Sequence, residues 1–318
     1  MMHKANYDLS VLLIFFARPN TLKDVFAEVK KARPARLFLA CDGPREGNPT
    51  DAQRVEECKK IVSDIDWECE VHTLYSNVNK GCGRGPSDAI SWAFTHTDKL
   101  VILEDDCVAD PTLFPFMEQM LKKYEQDERI GFISGFNHFK DWDCGGNSYC
   151  FTKAAATLGW GTWKRVWDNY DYYVKNAADP YYSRLLEKEV GHKRGGRSRV
   201  GSWRQAARET REKKVNYWDI QFGFVKYTQS YLCVVPKSNL IYNNGVGAGS
   251  THTENAKQVQ WKPGRILFMP TTPMEFPLKH PQYVFCDRFY DEKYFNTMAY
   301  PPKAVRIFRK IKRRILGK

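Results

Sequence analysis

No stretch of this chain approaches the ~18 consecutive apolar residues that a membrane-spanning helix requires. The longest candidate, Leu9 to Ala17, has the length of a strand. The opening residues, Met-Met-His-Lys-Ala-Asn-Tyr-Asp, lack the apolar run of a secretory signal, so cytoplasmic residence is the expectation. Nine cysteines are scattered along the chain, odd in number and without a Cys-x-x-Cys pair. A disulfide framework or a structural zinc site would look different, and the thiols are expected as small buried hydrophobes. Internal repeats and low-complexity tracts are absent. So is the Gly-x-x-x-x-Gly-Lys-[Ser/Thr] loop, which disfavours ATP hydrolysis.

The 318 residues are 42% hydrophobic and 14% aromatic, a balance that gives a real core and argues against disorder. The net charge of +12 invites a nucleic-acid reading, but its location argues otherwise. Residues 303–318 contribute +8 and residues 191–214 contribute +7, which leaves the rest of the chain at −3. Basicity confined to two segments, with no recognisable motif, is not the footprint of a nucleic-acid domain.

The first part alternates strand and helix. Asp8 to Phe16 reads as a buried strand, Arg18-Pro19-Asn20-Thr21 as a turn and N-cap, and 22–32 as a helix with Leu22, Val25, Phe26 and Val29 on its apolar face. A strand at Arg36–Cys41 ends in the turn Asp42-Gly43-Pro44. A helix near 51–65, a strand near 68–75, a Gly-rich turn at Gly81-Cys-Gly-Arg-Gly and a helix near 87–96 follow. A helix to about Gln126 and a strand at Ile130–Ser134 continue the pattern. These alternations predict an α/β fold with a mostly parallel central sheet flanked by helices. Beyond residue 140 the regularity fades into aromatic-rich segments, with Trp167 expected in the core.

Leu100-Val-Ile-Leu is a buried-type strand that runs directly into Glu104, Asp105 and Asp106. Three adjacent carboxylates are costly to hold together unless a cation sits among them. Hard divalent cations such as Mg²⁺ or Mn²⁺ take one or two carboxylates plus substrate phosphate oxygens. Ligands of open α/β sheets bind at the C-terminal ends of the strands. The stretch therefore points to a metal–diphosphate site, with a plain acidic turn as the alternative.

In these residues the chain resembles GT-A fold glycosyltransferases, which use nucleotide-sugar donors and a carboxylate motif of the DxD type. It is most similar to bacterial surface-polysaccharide sugar transferases and, more distantly, to the N-acetylglucosaminyltransferase I family. The likeness is carried by Phe16-Ala-Arg-Pro19, Asp42-Gly43, Asn79-Lys-Gly-Cys-Gly83, Ile102 to Asp106, Leu158-Gly-Trp-Gly-Thr-Trp163, Trp218-Asp219, and Asn243-Asn-Gly-Val-Gly247 leading to Thr251-His252-Thr253. It implies a Rossmann-like nucleotide-binding half at 1–140, an irregular acceptor-binding half of the same domain at 141–300, and a basic C-terminal helix at 301–318.

The resemblance also implies roles. Asp106 would be the metal ligand, with Asp105 near the ribose and Glu104 supporting both. Asp42 would contact the nucleotide base, for which an Asp-Gly turn is the alternative. Arg18 would hold the nucleotide or its phosphates. Lys80 and Arg84, in the Gly-rich turn before a helix, would help cradle an anion. Trp160 and Trp163 would stack on an acceptor sugar, or else pack at a tight bend. Asp219 would be the general base of an inverting transfer; a helix N-cap looks the same in sequence. His252 would reach the metal or the phosphates, or be an ordinary loop histidine. The donor favoured by the likeness is a UDP-sugar, and the metal Mn²⁺ or Mg²⁺.

The segment 191–202 reads as a mobile basic loop that closes over a diphosphate, binds an acidic acceptor, or is merely solvated. Residues 303–318 carry Ala304, Phe308, Ile311 and Ile315 at helical spacing with basic residues opposite, the pattern of an interfacial helix on anionic lipid. The reading that results is an inverting metal-dependent glycosyltransferase acting on a glycan or lipid-linked acceptor at the inner membrane face, without nucleic acid. The alternatives are a nucleotidyltransferase, or a non-catalytic protein binding membrane or nucleic acid through its basic segments.

Overall fold

The computed structural model describes residues 2–190, 193–212, 217–245, 268–299 and 307. The chain begins β1 (Tyr7–Phe15), α1 (Pro19–Ala32), β2 (Pro34–Cys41), α2 (Asp51–Val62), β3 (Glu70–Tyr75), α3 (Gly81–Ala93), β4 (Lys99–Glu104). The four strands are parallel and lie in the order β3-β2-β1-β4. Val11, Leu12, Leu13, Leu37, Phe38, Val101 and Leu103 are closed to solvent, as strands covered on both faces must be. On α1 the spacing of Leu22, Val25, Phe26 and Val29 turns all four inward, and Pro19 starts the helix where its missing N–H costs nothing. The chain steps from β1 outward to β3, then returns to the other side of β1 as β4. That reversal leaves a crevice at the C-terminal ends of β1 and β4, with Ile14 paired to Glu104.

The remaining elements are β5 (Cys107–Ala109), α4 (Leu113–Lys123), β6 (Ile130–Ser134), β7 (Tyr149–Thr152), β8 (Trp160–Trp163), α5 (Lys164–Trp167), α6 (Pro180–Glu189), α7 (Lys193–Arg211), α8 (Asp219–Thr228), β9 (Leu232–Pro236), β10 (Ile241–Asn243) and α9 (Arg288–Tyr294). They extend the same sheet to eight strands, β3-β2-β1-β4-β8-β6-β9-β7, in which β8 and β7 run antiparallel to their neighbours. The expected α/β architecture, a mostly parallel sheet flanked by helices, is present. A main core follows the sheet from Leu9 to Leu278, and a second cluster joins α6, α7, α8 and α9 around Trp203, Phe224, Tyr227 and Tyr290.

Two local expectations are corrected. The described part of 191–202 is not a loop but the first half of α7. Val200, Trp203, Ala206, Ala207 and Thr210 recur at helical spacing and are buried, so one face is apolar despite the basic residues around it. The Gly-rich run at 81–85 is not a turn before a helix but the first turn of α3 itself. Among the described residues no helix is long and apolar enough to cross a membrane. His252 and, apart from Ile307, the expected C-terminal helix at 301–318 lie outside the described residues.

Candidate active site

The crevice between β1 and β4 holds its own cation. Arg18, just past β1, forms ion pairs with Asp105 and, at 3.1 Å, with Asp106. The turn that aims it is tight: Ala17 takes φ +47, a left-handed conformation uncommon for a residue with a side chain. Asp105 pins that turn, because its Oδ2 accepts the Phe16 N–H at 2.9 Å while Oδ1 accepts from Arg18. Only 2% of Asp105 is exposed, so its oxygens serve the β1–α1 turn. Burial works against the Arg18 charge, yet Asp105 and Asp106 overcome it and raise its pKa. Burial, then Asp106, Asp105 and Asp219, push the Glu104 carboxyl well above the usual carboxylate range. Asp105 is also raised, by burial and Asp106 against the pull of Arg18.

Asp42 stands at the end of β2 with its carboxylate already engaged. Oδ1 accepts the N–H of Gly43 and of Lys80 at 2.9 Å, and Oδ2 that of Gly81 at 2.9 Å. The anion cradled at the start of α3 is thus the protein's own carboxylate, which occupies the positive helix end. Burial raises the Asp42 pKa against these donors. Lys80 and Arg84 do converge, but on Asp88, each at 2.9 Å, and Arg84 lies over the Tyr172 ring. Arg84 and Asp88 are four apart on one helix, a pairing the sequence already displays.

Asp219 opens α8 as its first helical residue. The cap is Trp218, so the alternative of an N-cap aspartate does not apply. The Asp219 side chain is exposed, yet near enough to Glu104 for its charge to be felt there. Among the described residues it accepts no hydrogen bond and forms no ion pair. Gly83 of α3 positions it indirectly: a Cβ there would stand 3.0 Å from the Tyr217 backbone, so a glycine lets the chain leading to Asp219 pass.

Trp160 and Trp163 lie on β8 between β4 and β6 and are 1% and 2% exposed. The Trp163 indole donates to the Leu121 carbonyl at 3.1 Å, and Trp160 stacks on Trp218 at 5.6 Å. Neither indole offers a free face to a sugar. The acceptor platform is corrected to a packed floor, in which Trp160 supports Trp218 next to Asp219. Trp167 is in the core as expected.

The ribbon of β5 against β10 brings a late segment to the acidic strand end. Asn244 N–H donates to the Asp106 carbonyl at 3.1 Å, and a Cβ on Gly245 would fall 2.2 Å from Asp106 Oδ2. Among the described residues no three His, Cys, Asp or Glu side chains converge as a metal cage would require. The residues present fit a narrower role. Asp106 is a partly exposed hard oxygen donor beside a second carboxylate, Glu104, which suits Mg²⁺ or Mn²⁺ completed by ligand oxygens.

No protein-family model matches the chain, and no curated protein matches it. Among solved structures it is similar to a UDP-glucose pyrophosphorylase complexed with UDP-glucose, at 9% identity and a TM-score of 0.36 over 74% of this chain and 92% of the other. An inositol-1-phosphate CTP transferase from T. maritima follows at 12% identity and 0.34, over 72% and 85%. Rv0371c from Mycobacterium tuberculosis H37Rv gives 11% and 0.28, over 50% and 74%. Likenesses this distant leave the chemistry of the crevice to its own residues.

Proposed function

We propose that the protein transfers a sugar from a nucleotide-sugar donor, with inversion, to a glycan or lipid-linked acceptor. The observation that carries this reading is the approach of Asp219, a carboxylate with no hydrogen bond or ion pair among the described residues, to the Arg18–Glu104–Asp105–Asp106 crevice at the sheet's switch point. In this reading the donor diphosphate lies beside Arg18, with the nucleotide toward Asp42, Lys80 and Arg84. Asp219 accepts the proton of the acceptor hydroxyl, whose oxygen bonds the anomeric carbon as the bond to the diphosphate breaks. The departing oxygen keeps the electron pair, and Arg18 offsets the charge it develops. A divalent cation held by Asp106, and by His252 if that residue reaches it, would supply further stabilisation of the leaving group. The segment 303–318 would hold the enzyme on an anionic membrane surface at the cytoplasmic side.

Nucleotidyl transfer is the second reading: it needs the same carboxylates and metal, although Phe16-Ala-Arg-Pro-Asn lacks the Gly-rich, Lys/Arg-containing signature such enzymes usually show after the first strand. It uses the same crevice but releases pyrophosphate. Calorimetry with a panel of nucleotide sugars and nucleoside triphosphates, with and without Mn²⁺, separates the two. Sugar transfer predicts Mn²⁺-dependent binding of a nucleotide sugar and release of a nucleoside diphosphate. Pyrophosphate release from a triphosphate would replace it with nucleotidyl transfer.

A further inference from the structure

Away from the acidic strand end, the opposite sign of charge is enclosed. Lys226 follows Asp219 by seven residues on α8, which places both on one face of the helix, about 10 Å apart along its axis. Among the described residues its Nζ reaches only the Ala155 carbonyl, at 3.5 Å, and stands 5.7 and 5.6 Å from the ring centres of Phe132 and Tyr227. Arg199, on α7, bonds the Tyr294 hydroxyl. His138, beyond β6, packs on Tyr294 with ring centres 4.5 Å apart, and its Nδ1 lies 3.3 Å from the Tyr290 hydroxyl.

Among the described residues no carboxylate lies within ion-pair distance of Lys226 or Arg199. Enclosing unpaired cations costs several kcal/mol each. The three groups sense one another: burial and then the Lys226 and Arg199 charges hold His138 down to about 3, so it stays neutral. Burial and the Arg199 charge depress Lys226 against the pull of Cys233 and Asp291, whereas Arg199 is raised by Tyr294, Tyr227 and the more distant Asp219 despite its burial. Both cations nevertheless remain partly open to solvent, as groups lining a recess would be. Between Asp219 and Lys226 the helix face carries Gly223, where a Cβ would meet nothing nearer than Trp203 Nε1 at 3.7 Å. The glycine puts no side chain of its own on the helix face between base and cation.

We propose that this recess binds the anionic group of an acidic saccharide acceptor, a uronic-acid carboxylate or a phosphate monoester, through Lys226 and Arg199, and so sets a hydroxyl at Asp219. The inference rests on the reading of Asp219 as the base. The anion gives the two cations the ion pair that no described carboxylate makes with them, and charge-assisted hydrogen bonds of this kind are about twice as strong as neutral ones.

The test is isothermal titration calorimetry with p-nitrophenyl β-glucuronide, glucose 6-phosphate and the neutral p-nitrophenyl β-glucoside, without donor or metal. The wild type is expected to bind at least one acidic probe about tenfold or more tighter than the neutral one. Lys226→Met is expected to abolish that difference and Lys226→Arg to retain most of it, with circular-dichroism melts showing all proteins folded. The two acidic probes distinguish carboxylate from phosphate. Equal binding of acidic and neutral probes, no binding of either acidic probe at millimolar concentration, or an acidic preference that survives in Lys226→Met would overturn the inference. Because no donor is present, an acidic preference stands even if sugar transfer fails its own test. Its absence in an enzyme that does transfer sugar removes the inference alone.

Discussion

The two ends of α8 face opposite electrostatic problems and meet them differently. At the Asp219 end, the acidic strand terminus is compensated from within: Arg18 pairs with Asp105 and Asp106, while burial and then the neighbouring carboxylates raise the pKa of Glu104. At the Lys226 end, cations are enclosed among tyrosines and backbone, with no described carboxylate at ion-pair distance, and Asp291 and Asp219 act on Lys226 and Arg199 only from farther off. The difference teaches that a buried cation can stand in two relations to its site. Loss of Arg18 would strand the acids it pairs with, whereas among the described residues Lys226 has no ion-pair partner to strand.

The largest effect should come from breaking the compensated end. Arg18→Met leaves Asp105 and Asp106 uncompensated and is expected to cost about 3–5 kcal/mol, read by urea unfolding at pH 8. The sign of its pH dependence follows from the raised carboxyls. Their folded pKa values lie above the unfolded ones, so the folded protein binds more protons, and the deficit shrinks as the pH falls from neutrality toward the ordinary carboxylate range. A deficit that grows on acidification would refute the pairing.

Trp163→Ala tests the packing of β8, where the indole is buried and bonds the Leu121 carbonyl. It is expected to destabilise by about 3–5 kcal/mol by opening a cavity, and Trp163→Phe should recover much of this; a stable Trp163→Ala protein that has lost acceptor affinity would restore the indole to a sugar-binding role. Lys226→Met sharpens the contrast with Arg18→Met, because an apolar replacement of an unpaired enclosed cation is expected to be neutral or stabilising, by roughly 1 kcal/mol or more. A loss as large as that of Arg18→Met would show that Lys226 does have a partner.

The smallest effect is on acid sensitivity. His138 is held at about 3, far below its ordinary 6.5, so the unfolded chain binds a proton that the folded one refuses in that interval. Its contribution is fully present above about pH 6.5 and declines progressively as the pH falls toward 3. His138→Gln should flatten that part of the stability profile, measured as denaturation midpoint against pH.

The parallel half of the fold was legible because its signals are local. Apolar runs of strand length alternate with 3.6-residue periodicity, and Asp-Gly-Pro and Arg-Pro turns separate them. Glu104 to Asp106 announced a site because three adjacent carboxylates need compensation, but spacing could not tell that Arg18, 86 residues before Glu104, supplies it. Asp42 read as a nucleotide contact or a plain Asp-Gly turn, and the sequence did not show the N–H donors from Lys80 and Gly81 that reach its carboxylate from a distant segment. β8 was missed because a four-residue strand buried on both faces shows no alternation, so Trp-Gly-Thr-Trp looked like an exposed platform. α7 was hidden by its basic residues, although Val200, Trp203 and Ala207 carry the helical period. Lys226 and His138 sit in no motif at all, and only folding brings them to Arg199.

The central claim, that Asp219 acts on a substrate held in the Arg18–Asp106 crevice, is tested most directly by single-turnover sugar transfer with Asp219→Asn beside donor calorimetry of the same protein. The account predicts transfer slowed by about 10²–10⁴-fold with donor affinity unchanged within about twofold. Transfer at the wild-type rate in a folded Asp219→Asn protein would contradict it.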